Sequence, residues 1–94
     1  MSDITTTTVT ADGVAVNHPA RVKSIYYVRG ASAGSIVLKD GGSSGTALLT
    51  LTTPGAGSGV DAANTMSIPS DGLRFTSNVY VDLTNVSSVT LFHA

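Results

Sequence analysis

The sequence predicts an all-β protein, an antiparallel β-sandwich of jelly-roll-like type built from eight or nine short strands. Three observations predict it. Val, Ile, Thr and Tyr, which suit a pleated and half-buried surface, are plentiful. Glu and Gln are absent, so strong helix formers other than Ala and Leu are scarce. Short extended runs recur at a spacing of roughly 8–12 residues, the pattern of a sandwich or barrel, and no helical period lasts beyond a turn or two.

Each element follows from its own residues. Ile4 to Thr10 is a Thr-rich extended run, and Gly13 to Asn17 continues it as a first hairpin. Arg21 to Arg29 (RVKSIYYVR) is a long strand. Ser35 to Asp40 and Thr46 to Thr53 flank the turn GGSSG. Pro54 to Asp61 is a loop, with one 3₁₀ turn over Asp61 to Asn64. Thr65 to Ile68 and Leu73 to Thr76 flank Ser70-Asp71-Gly72. Asn78 to Thr84 and Ser88 to His93 form a last hairpin around Asn85-Val86-Ser87, with Val81 facing Leu91 and Tyr80 facing Phe92. Residues 1–20 form an extended arm or hairpin and residues 21–94 the sandwich, together a single domain.

Asp-Gly occurs three times, at Asp12-Gly13, Asp40-Gly41 and Asp71-Gly72, each where an extended run ends. The pair supplies a residue tolerant of positive φ followed by one with no steric objection to it, so each is read as a tight turn. Positive φ is expected at or beside Gly41 and Gly72. The run around Gly41 is not a phosphate loop, because Gly45 is followed by Thr46 and Ala47 rather than by Lys and a helix. It is not an EF-hand loop, which needs a terminal Glu.

Alternation assigns faces. Val79, Val81 and Leu83 share one face with Val89, Leu91 and His93 of the last strand; Ile36, Leu38, Met66 and Ile68 continue it. In RVKSIYYVR, Val22, Ser24, Tyr26 and Val28 fall on one side. Arg21, Lys23, Ile25, Tyr27 and Arg29 fall on the other, which the charges mark as outward. Ile25 and Tyr27, with Tyr80 and Phe92, are therefore apolar residues on faces away from the Val/Leu core. Either a second sheet covers them or they form an interface between subunits. As an interface, Ile25 and Tyr27 would be an apolar centre rimmed by Arg21, Lys23 and Arg29.

Candidate chemistry is sparse. Net charge is −1 and 12% of residues are charged, too little basic character for a nucleic-acid partner. Cys is absent, which removes disulfides and thiolate metal sites. His18 and His93 lack neighbouring carboxylates, the six Asp residues are scattered, and no nucleophile elbow is present. The expectation is a protein without catalytic residues, cofactor or metal. No apolar run approaches the roughly 20 residues a membrane span needs, and the opening MSDITTTTVT has no signal-peptide pattern.

Four stretches, RVKSIYYVRG, AGSIVLKDGGSSGTALLTL, IPSDGLRF and NVYVDLTNVSSVTLFHA, resemble the small Gly/Ser/Thr-rich virion proteins of tailed bacteriophages, notably those of marine bacteria and cyanobacteria. The resemblance spans residues 21–94. It implies a structural role in a virion assembled from proteins made in the host cytoplasm, such as a capsid decoration protein or a small head or tail fitting. It also implies partners: copies of the chain itself, as a trimer, and other virion proteins. It carries no active-site residues. The alternative is a carbohydrate-binding β-sandwich module using Tyr26, Tyr27 or Tyr80 as a stacking platform.

Overall fold

The structure, a computed structural model, describes residues 4–57, 59, 62–69 and 72–94. Nine strands run along the described chain: β1 (Thr5–Val9), β2 (Gly13–Val16), β3 (Ala20–Arg29), β4 (Gly34–Asp40), β5 (Thr46–Thr53), β6 (Ala63–Ser67), β7 (Leu73–Phe75), β8 (Val79–Thr84) and β9 (Val86–His93). They form two antiparallel sheets. The five-stranded sheet has the order β1-β9-β3-β6, with β7 also on β3; the four-stranded sheet has the order β2-β8-β4-β5. β7 pairs with Ala20–Val22 and β6 with Ser24–Val28, so the two short strands lie end to end along one side of β3. The pairings are nested: β4 with β5, β3 with β6, β2 with β8, and β1 with β9.

Two sheets enclose one core. Val22, Ile25, Phe75, Val89 and Leu91 of the five-stranded sheet meet Ile36, Leu38, Val79 and Val81 of the four-stranded sheet, all fully buried. The shortest extent of the molecule is 18 Å, which suits two sheets stacked about 10 Å apart. Each buried Val, Leu or Ile contributes about 1.5–3 kcal/mol relative to exposure. The all-β, two-sheet expectation therefore holds, with nine strands.

Both expected terminal hairpins are replaced by crossings between sheets. β1 pairs with β9 while β2 pairs with β8. Likewise β8 lies in the four-stranded sheet and β9 in the other, so Val81 does not pair with Leu91, nor Tyr80 with Phe92. A single residue, Asn85 at φ 53°, separates β8 from β9. It turns the chain out of one sheet into the facing one, and its Nδ2 donates to the Ala33 carbonyl at 3.1 Å. The face assignments survive because alternation fixes which side is buried, not which strand lies alongside.

β3 departs from simple alternation. Val22 pairs with His93 and Ser24 with Phe92, so Lys23 is an extra residue, a β-bulge. Beyond it the inward set changes parity: Ala20 and Val22 are buried before the bulge, Ile25 after it. Tyr27 packs against the core from the same side as Ile25, and Tyr26 faces out. The expected outward face of Ile25 and Tyr27 is thus corrected to an inward one.

The turns divide. Gly41 has φ 105° and Gly42 φ 87°, and β4 and β5 form a true hairpin across them. Gly72 has φ 86° and its N–H reaches the Pro69 carbonyl at 3.3 Å. A Cβ there would meet the Val22 carbonyl oxygen at 2.5 Å, so this position requires glycine on two counts. Asp71 lies outside the described residues. Gly13 needs no positive φ; the adjacent Asp12 instead accepts the Leu83 N–H at 2.7 Å. Of the 3₁₀ turn expected over residues 61–64, Ala63 and Asn64 are strand, and Asp61 lies outside the described residues.

Candidate functional site

The run VLKDGGSSG is a structural lock. The Asp40 carboxylate accepts from the Thr76 N–H (3.0 Å), the Thr76 hydroxyl (2.9 Å) and the Ser77 N–H (2.9 Å). In return Asn78 Oδ1 accepts the N–H groups of Gly41 (3.3 Å) and Gly42 (3.1 Å). The backbone donors of Thr76 and Ser77 hold the Asp40 carboxyl below its ordinary pKa, because they favour the charged form. These bonds fasten the β4–β5 hairpin to the segment entering β8, and they occupy the groups a metal or phosphate would need.

His93 is buried, 5% exposed, where a terminal His is ordinarily solvated. Its Nε2 lies 2.9 Å from the Thr7 hydroxyl, tying β1 to β9. Burial, and secondarily the charge of His18, pushes its pKa down. Among the described residues no group of three or more His, Asp, Glu or Cys is placed to hold a metal.

The four expected interface residues do not gather. Ile25 is fully buried and therefore closed to a partner, and Tyr27 packs on the core. Tyr80 lies on the outer face of the four-stranded sheet, between Val14 and Lys39. Phe92 lies on the outer face of the other sheet, between Thr6 and Ser24. The bulge and the sheet crossing together scatter them.

Two exposed features come forward instead. The first is the edge of the four-stranded sheet. Among the described residues β5, TALLTLTT, pairs only with β4, and it carries no charge and no proline. A bulge opposite Leu38 and Lys39 leaves Leu48 unpaired and 36% exposed.

The second is the outer face of the five-stranded sheet. Its middle row runs Thr8, Thr90, Tyr26, Thr65 across four strands. Tyr26 is 39% exposed at the centre, and the Thr8 and Thr90 hydroxyls bond at 2.8 Å. At one end the face opens into a cleft of about 630 Å³ bordered by Arg21, Lys23 and Arg74. Arg21 and Arg74 are direct cross-strand partners. Like charges so placed repel. The ion pair among the described residues is Lys39–Asp82, at 3.5 Å on the other sheet. The sequence offered Tyr26 as one of three stacking candidates, but the bulge hid which of them faces out, and the distance in sequence between Arg21 and Arg74 hid the cleft.

No protein-family model, curated protein or solved structure matches the chain.

Proposed function

We propose that the chain is a non-enzymatic structural protein of a bacteriophage virion, a capsid decoration protein or small head or tail fitting. It works by packing against copies of itself and neighbouring virion proteins. The resemblance of residues 21–94 to small phage virion proteins supports this reading, and the nested strand pairing is compatible with the jelly-roll-like sandwich expected of such a protein.

The observation that carries the reading is the β5 edge. Sheet edges in free-standing proteins are guarded by charge, proline or a covering segment, because their unpaired backbone groups template another strand. β5 offers eight residues of which none is charged and none is proline. Among the described residues its bulge is the one guard it has, and that bulge exposes Leu48. Such an edge suits a subunit whose edge is covered in the assembled state, where backbone hydrogen bonds to a partner supply affinity. Association also adds stability to a small domain by mass action.

Light scattering on the purified chain tests the reading. A closed cyclic oligomer is expected, a trimer of three 9.5 kDa chains. A monomer at every concentration reached would contradict self-association.

A further inference from the structure

We propose that the outer face of the five-stranded sheet binds an acidic polysaccharide, with a sugar ring stacked on Tyr26 and sugar carboxylates held by Arg21, Lys23 and Arg74. The inference is independent of the virion reading. Three features of the face converge on that chemistry.

The first is the aromatic ring. Tyr26 is the most exposed tyrosine, and its row neighbours Thr90 and Thr65 are short hydroxyl side chains that leave its face open. A pyranose presents a flat patch of C–H groups that packs on such a ring, and its hydroxyls exchange hydrogen bonds with flanking Thr and Ser. The second is the cleft. Arg21 and Arg74 stand opposite one another with Lys23 beside them, and none of the three has an ion pair among the described residues. Two guanidinium forks and an ammonium are suited to carboxylates. The repulsion between Arg21 and Arg74 is relieved when an anion sits between them. The third is spacing. Lys23 and Tyr26 are separated by about 10 Å at strand rise, a span a short oligosaccharide bridges. The bulge at Lys23 is what places the cations and the ring on one face.

Single-stranded nucleic acid also combines stacking with anions, but it carries a charge at every unit and needs cations along its whole track. Here the described face beyond Lys23 is uncharged: Ser24, Thr90, Thr65 and Thr8. A hydroxyl-rich polymer with spaced carboxylates fits better.

The test is titration calorimetry of the full chain against polygalacturonate, with neutral dextran, oligo(dT) and polyaspartate as comparison polymers. Polygalacturonate is expected to bind, with the other three at least about tenfold weaker. Tyr26→Ala should weaken binding by about tenfold while Tyr26→Phe retains it, since the ring and not the hydroxyl does the stacking. Lys23→Gln with Arg74→Gln should cause a loss of similar size. Circular dichroism confirms that each variant is folded, which the outward placement of these side chains favours. Absence of polygalacturonate binding would overturn the proposal. So would equal binding of polyaspartate or oligo(dT), or Tyr26→Ala binding as well as the parent. None of these outcomes bears on the oligomer mass, so the two readings fail separately.

Discussion

Neighbouring residues of β3 have opposite fates, and their substitutions separate core from surface. Ile25 has no exposure, while Tyr26 exposes 39%. Ile25→Ala removes buried methylenes and leaves a cavity, at a cost of about 2–5 kcal/mol. Denaturant titration should show that loss, whereas Tyr26→Ala should shift the midpoint little. A stable Ile25→Ala variant would mean that β3 is not bulged as described. Thr53 presents the opposite case. It is 1% exposed, and its hydroxyl has no partner among the described residues. Leaving a buried hydroxyl unmade costs about 1–3 kcal/mol, so Thr53→Val, which keeps the shape, should raise stability by about 1 kcal/mol. A destabilised Thr53→Val would show that the hydroxyl is satisfied in solution. The glycine turns were legible at this scale, since the steric demand at Gly41 and Gly72 is local and the sequence states it directly.

At the scale of the strand, legibility ends where a signal is shared by two arrangements. Val79, Val81 and Leu83 announce a buried face, and so do Val89, Leu91 and His93. A hairpin and a crossing into the facing sheet satisfy that pattern equally, so the partner of β8 was not legible. In β3 the bulge shifts parity by one residue between Val22 and Ser24, and the polar pair Lys23-Ser24 conceals it. Ile25 and Tyr27 were misplaced for that reason. The pairing of β1 with β9 carries a pH dependence of its own. His93, bonded to Thr7, has its pKa pushed below the ordinary 6.5 by burial and by His18. The unfolded chain then binds the proton more readily than the folded one. The stabilisation is complete above the ordinary value and is lost as pH falls through the lowered one. Melting temperature should therefore drop as pH falls below the ordinary 6.5 and through the lowered value, and His93→Gln should flatten that slope. Asp40 acts in the same direction but in a separate window, below its ordinary 3.8. An unchanged slope in His93→Gln would remove His93 as its source.

For the whole molecule, the composition was the most informative part of the sequence: its β-forming residues and lack of Glu and Gln anticipated two sheets without a helix among the described residues. The site was far less legible, because it is made by topology. Arg21 and Arg74 meet only because β7 returns to β3, and the uncharged β5 becomes an exposed edge because β4 is its sole partner among the described residues. The central claim is that this edge is covered by another chain in the working protein. Light scattering of the parent beside the double variant Leu48→Lys, Thr50→Lys measures it most directly. Two added charges on the edge should repel an approaching strand while leaving the buried face of β5 unaltered. The account predicts an oligomeric parent and a variant at the 9.5 kDa monomer mass with unchanged circular dichroism. A variant with the parent's oligomeric mass, or a parent already monomeric, would contradict it.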